Sequence, residues 1–190
     1  MSPILSARGG LSANAYGWGA ASGAVGAFQS IATVTASGSV STLSFTSIPS
    51  GFKHLQIRGM NRTAAGGGVN LQINSDTGSN YAQHRLEGSG TAASAAGFAS
   101  QTSVPVSSNT TAADTMAVTI IDILDYGSTT KNKTLRVLRG FDANGTGTII
   151  VGSGLWMSTA AITSIQLVNA SSNNFDSTTT FALYGIKEFS

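Results

Sequence analysis

Apolar and polar positions alternate with a period of two along much of the chain. Leu43 and Phe45 alternate with Thr42, Ser44 and Thr46. Leu55, Ile57 and Gly59 alternate with His54, Gln56 and Arg58, and Val69, Leu71 and Ile73 with Asn70, Gln72 and Asn74. That period gives a strand one apolar and one polar face, as in a half-buried antiparallel sheet. The run Met116 to Tyr126 is denser, with Val118, Ile120, Ile121, Ile123 and Leu124. It predicts a central strand with a bulge near Ile121 that switches faces. Leu135 to Leu138, Thr148 to Val151, Ile162 to Val168 and Thr180 to Ile186 complete the strands. Between them lie Pro49-Ser50-Gly51, Ala65-Gly66-Gly67-Gly68, Ser75-Asp76-Thr77-Gly78, Asp142-Ala143-Asn144-Gly145 and Ser171-Ser172-Asn173-Asn174. Their Gly, Asn and Asp chemistry reads as hairpin ends. No window carries a capped 3.6 period, so helices should be short or absent. About eight to ten short strands with regular turns predict an all-β antiparallel β-sandwich, with the jelly roll as first choice.

The first thirty residues break this pattern. From Gly9 to Ser30 the chain has no charge and is mostly Gly, Ala and Ser, punctuated by Leu11, Tyr16, Trp18, Val25 and Phe28. So much glycine costs too much chain entropy for a stable helix or a self-sufficient sheet. Residues 1–30 are therefore expected to be an extended N-terminal arm, and residues 31–190 the sandwich domain. The arm is expected to take shape by laying Leu5, Leu11, Tyr16, Trp18 and Phe28 on a neighbouring subunit or assembly partner. The apolar content elsewhere suffices for one core, which leaves these side chains for contacts between chains, with a closed homo-oligomer as the default.

Composition narrows the function classes. Ala, Gly, Ser and Thr make up 97 of the 190 residues, and charged residues only 9%, against about 25% in an ordinary domain. A net charge of +2 gives little field for a polyanion, so no direct nucleic-acid partner is expected. There is no cysteine, which excludes disulfides, thiolate metal sites and a cysteine nucleophile. The start Met1-Ser2-Pro3-Ile4-Leu5-Ser6 lacks the basic and apolar runs of a signal peptide. No apolar run reaches the roughly 18 residues of a membrane span.

The residues that could carry chemistry are few. His54 and His84 are thirty positions apart, and a shared metal would need a carboxylate from elsewhere. Neither a G-x-S-x-G elbow nor a phosphate-binding glycine loop occurs. Asp76-Thr77-Gly78 matches the tripeptide of aspartic proteases, but its Asn and Ser neighbours make it a turn. Asp122 and Asp125 should point to opposite faces of a strand. Asp142 to Gly147 resembles a calcium loop without its closing Glu. No catalytic residue, metal or cofactor is expected. Tyr81, Tyr126, Trp156 and Trp18 are candidates for stacking on a sugar ring of a host-surface glycan, with Asn and Asp supplying hydrogen bonds.

Several segments resemble one family. Ser44-Phe45-Thr46-Ser47-Ile48-Pro49-Ser50-Gly51-Phe52-Lys53-His54-Leu55-Gln56-Ile57-Arg58-Gly59 resembles a segment of tailed-bacteriophage virion structural proteins. Ile73 to Tyr81, Asp122 to Tyr126, Lys131 to Thr134 and Phe181 to Lys187 follow in the family's order. The opening Leu5-Ser6-Ala7-Arg8-Gly9-Gly10 is similar to the start of proteins from marine and freshwater phages. The resemblance implies a non-enzymatic virion component with a β-sandwich body, made in the host cytoplasm and carried on the mature particle. It would be a capsid decoration or cement, or a tail or fibre appendage, fixed by its arm to other virion proteins and assembled as a homo-oligomer, preferably a trimer. The alternative expectation is a carbohydrate-binding host-attachment module.

Overall fold

In the computed structural model the described residues are 27–63, 65–108, 110 and 114–188. Of the arm, Leu5, Leu11, Tyr16 and Trp18 lie outside them. The alternation read from the sequence is realised. Leu43 and Phe45, Leu55 and Ile57, and Val69, Leu71 and Ile73 all bury their side chains, while their neighbours in sequence stay partly or fully exposed.

Among the described residues twelve strands form, all paired antiparallel: β1 (Phe28–Thr35), β2 (Thr42–Phe45), β3 (His54–Asn61), β4 (Val69–Ile73), β5 (Tyr81–Gly88), β6 (Ala93–Gln101), β7 (Val104–Ser107), β8 (Ala117–Ile123), β9 (Lys133–Asp142), β10 (Gly147–Trp156), β11 (Ile165–Asn169) and β12 (Thr180–Ile186). One sheet has the order β1-β12-β3-β8-β9-β10-β5-β6, the other β2-β11-β4-β7. Set aside β5, β6, β9 and β10, and the two sheets are β1-β12-β3-β8 and β2-β11-β4-β7. Successive strands of this inner set cross from one sheet to the other, except β4 and β7, which pair within the second sheet; this is the connectivity of a jelly roll. The four remaining strands come from two insertions, and they widen the first sheet well beyond the second.

The core lies between the sheets. Leu55, Ile57, Ile121, Ile123, Leu135, Phe181 and Leu183 meet Phe45, Leu71, Ile73, Val104, Ile165 and Leu167 there. No helix occurs among the described residues.

Four expectations need correcting. β8 has no bulge: its pairing with both β3 and β9 runs without a register shift. Ile120 and Ile121 are adjacent because both faces of β8 are apolar, so no face switch is needed. Of the five turn clusters only Asp142-Ala143-Asn144-Gly145 closes a hairpin, between β9 and β10. The other four hand the chain from one sheet to the other, which needs the same glycine and Asx geometry. The strands number twelve, with β1, β5, β6 and β7 added to the pattern. Finally, the boundary at Ile31 falls inside β1, where Phe28, Gln29 and Ser30 already pair with Ile186, Gly185 and Tyr184.

Candidate functional site

The first sheet has a second face, turned away from the core. Cross-strand partners share a face, so the registers place its residues in rows. In one row Met60 stands beside Val118, then Gly140, Ile149, Gly88 and Ala93. In the next, Arg58 is followed by Ile120, Leu138, Val151, Leu86 and Ala95. These side chains are open: Leu86 is 65% exposed, Ile149 61% and Val118 52%. Six strands at about 4.8 Å spacing, with rows about 7 Å apart, make an apolar surface of a few hundred Å². The largest apolar patch of an ordinary domain is about this size and is often functional. Shallow depressions lie on it, one of about 610 Å³ lined by His84, Leu86, Ala95, Gly97, Val151 and Ser153. A second, of about 530 Å³, lies over Leu86, Ala93, Ala95, Ile149 and Val151.

The third row is polar. Gln56, Asp122, Arg136, Ser153, His84 and Gly97 follow one another across the sheet. The Arg136 guanidinium donates to Asp122 Oδ2 at 2.8 and 3.2 Å, and Gln56 Nε2 donates to Asp122 Oδ1 at 2.7 Å. Arg58 Nε donates to Gln56 Oε1 at 2.8 Å, and its guanidinium stands 5.4 Å from the centre of the Phe28 ring and 5.9 Å from that of Tyr184. Partial burial works to raise the Asp122 pKa. Gln56, Arg136 and Arg58 outweigh it and hold the carboxyl below its usual range. The charges on this side of the sheet thus satisfy one another in a ladder from β1 to β9 and leave the β10–β5–β6 side uncharged. There the His84 ring lies across β6, so close that a Cβ on Gly97 would come within 2.6 Å of it.

β6 adds an open edge. It is nine residues long, Ala-Ser-Ala-Ala-Gly-Phe-Ala-Ser-Gln, pairs among the described residues only with β5, and carries no charge or proline. Exposed edges are ordinarily blunted by such residues. Its regularity ends in a register shift where Gln83 and Tyr81 face Phe98 and Gln101, close to Ser100 with φ 54°.

The residues expected to meet a glycan are brought together, but inside. Tyr81 and Trp156 are cross-strand partners, 0% and 3% exposed. Trp156 Nε1 donates to Asp76 Oδ2 at 2.7 Å. The Tyr81 hydroxyl accepts the Ile73 N–H at 2.9 Å and donates to the Asp76 carbonyl at 3.0 Å. Tyr126 is 1% exposed and donates its hydroxyl to the Pro49 carbonyl. None offers a ring face to a sugar: each closes a turn with its polar tip while its ring fills the core. Burial pushes the Tyr81 hydroxyl up to about 12.

Asp76 is likewise a turn residue. The Trp156 hydrogen bond, with those of Asn80 and the Gly78 N–H, holds its carboxyl below the usual range. His54 and His84 point from the same face with β8, β9 and β10 between them, about 19 Å apart by strand spacing. His54 Nδ1 accepts the Asp125 N–H at 3.0 Å. Asp125 sits in the turn after β8, beside Lys53 and Lys131. Asp142 accepts the Asn144 N–H of its own hairpin at 2.9 Å. Among the described residues no three His, Cys, Asp or Glu side chains come together as a metal site. No described helix is long and apolar enough to cross a membrane.

The outer face was readable only in part. The consecutive Ile149-Ile150-Val151 and Ile120-Ile121 signal strands apolar on both sides, but the contributions of Ala93, Ala95 and Gly97 carry no such signal. No family model, curated protein or solved structure matches the chain.

Proposed function

We infer that this is a non-enzymatic bacteriophage virion structural protein. It assembles as a homo-oligomer, preferably a trimer, and its leader fixes it to capsid or tail proteins as a decoration, cement or fibre-like appendage. The observation that supports the reading best is the exposed, largely uncharged outer face spanning β3 to β6. Such a surface suits a protein partner rather than solvent or a small polar substrate. The phage-like segments from Ser44 to Lys187 point the same way. A jelly roll alone would not, since the fold hosts many functions. The adhesin reading keeps none of Tyr81, Tyr126 and Trp156 as stacking residues, because all three are buried, and its fourth candidate, Trp18, lies outside the described residues.

Among the described residues the two sheets and the core they enclose, from Ile31 onward, form a continuous apolar cluster, so a chain lacking Met1–Gly26 is expected to fold. Labelling purified particles with an antibody to the protein is expected to decorate them, and chains lacking Met1–Gly26 are expected to be absent from particles while keeping a full-length β-sheet spectrum. Unlabelled particles, or particles that take up the shortened chain normally, would remove the reading.

A further inference from the structure

We propose that the apolar end of the outer face, over β10, β5 and β6, receives the uncharged stretch 9–26 of a neighbouring copy's leader. The proposal rests on the assembly role given to the leader above and names its receptor. Three observations carry it. The first is where the leader joins the fold. It leads into β1, at the opposite edge of the sheet from β6, and Phe28, the first residue of β1, stands beside Ile186 and His54 in the outer-face register. Between that point and the apolar end of the same subunit lies the ladder of Arg58, Gln56, Asp122 and Arg136. A leader folded back on its own sheet would cross those charges, whereas one extended away from its subunit need not.

The second is chemistry. Residues 9–26 carry no charge and are mostly Gly, Ala and Ser around Leu11, Tyr16, Trp18 and Val25. The receiving surface is built from equally small and apolar side chains, Ala93, Ala95 and Gly97 beside Leu86, Ile149 and Val151. Charge comes only from Arg85, Glu87 and Arg136 in the lining of its depressions, Arg136 being already paired with Asp122. Bare backbone lies close on such a surface, and its depressions of about 610 and 530 Å³ are wide enough for an aromatic ring. The third is the edge itself. β6 presents a row of backbone donors and acceptors that, among the described residues, no strand pairs, and an extended segment satisfies such a row by adding a strand. Twenty-six residues reach about 85 Å when extended, enough to leave one subunit and cross this part of the next. The contact joins two different surfaces, and such a contact closes a ring where the rotation between copies divides a full turn, as in a trimer.

The natural chain has no cysteine, so introduced thiols report contacts cleanly. Full-length chains carrying Ala20→Cys and Ala95→Cys, produced together and mildly oxidised, are expected to yield a disulfide-linked pair of the two variants on a non-reducing gel. Linkage of Ala95→Cys chains to one another would mean that two faces meet, and would overturn the proposal. So would intrachain linkage in the chain carrying both substitutions. Independently, Leu86→Glu with Val151→Glu changes two exposed positions. It is expected to leave the melting temperature within a few degrees and to weaken self-association at least tenfold by light scattering. If deleting Met1–Gly26 dissociates the oligomer and the Glu pair does not, the leader's role stands and this receptor is wrong. If the deletion leaves the oligomer whole, or the full chain is monomeric, the assembly role fails and this proposal with it.

Discussion

Lys133 has no exposed surface. Its ammonium donates to the carbonyls of Ser128 at 2.7 Å, Lys131 at 2.9 Å and Thr159 at 3.2 Å, and burial pushes its pKa below the usual lysine value. The side chain therefore ties the β8–β9 loop to the segment after β10. Beside it in the ladder stands Trp156, itself tied to Asp76, so this end of the sandwich is held by polar atoms set into an apolar wall. Lys133→Met keeps the apolar stem but leaves three carbonyls without their donor. Unfolding in urea should show a loss of about 2–4 kcal/mol. Lys131→Met, which removes only an exposed pair with Asp125, should cost less than about 0.5 kcal/mol. Equal losses in the two variants would show that the buried hydrogen bonds carry no special weight.

Among the elements, β3 and β12 form the centre of the jelly-roll sheet, and their fit depends on a missing side chain. Gly59 pairs with Phe181, and a Cβ at Gly59 would come within 2.0 Å of that ring. Phe181 has no exposed surface and so no room to retreat. Gly59→Ala is expected to destabilise the fold by about 1–3 kcal/mol through overpacking. Gly51→Ala should stay within about 0.5 kcal/mol, since nothing lies within 4 Å of its Cβ position. Thermal melts of the two variants check this, and an unchanged Gly59→Ala melt would contradict the packing argument. The period-two pattern shows that β3 is a strand; that its glycine is a socket for an aromatic ring 122 positions later is not visible in it. β6 is the opposite case. Its Ala, Ser and Gly have weak strand preference, and it is a strand only because β5 offers an edge to pair with.

Across the whole molecule, the described carboxylates with a clear shift are all held low. Asp176 is held by Thr178 and Arg62, Asp125 by Lys131 and Lys53, Asp76 by Trp156 and Asn80, and Asp122 by Gln56 and Arg136 against its own burial. A carboxyl whose folded pKa lies below its unfolded value stabilises the fold above the unfolded value, near 4, and loses that contribution as pH falls through the folded one. The melting temperature is accordingly expected to be nearly flat from pH 7 to 5 and to drop steadily below about pH 4. A melt that rises on acidification would show that these contacts do not favour the ionised forms.

Much of this architecture could be read in advance because a strand's alternation is local. One apolar face and one polar face declare themselves within six residues, so β2, β3, β4 and β12 and the all-β class follow from the chain alone. Which strands pair, and whether a Gly/Asn turn closes a hairpin or crosses between sheets, depends on contacts far apart in sequence, which local pattern does not encode. The same reason explains the aromatics: Tyr81, Tyr126 and Trp156 look alike as surface or core until Ile73, Pro49 and Asp76 are seen to take their polar tips. It also explains the outer face, whose rows exist only because six strands from three stretches of chain lie side by side. Composition set the chemistry that face has to offer, small and uncharged, and tertiary pairing alone gathered it into a surface.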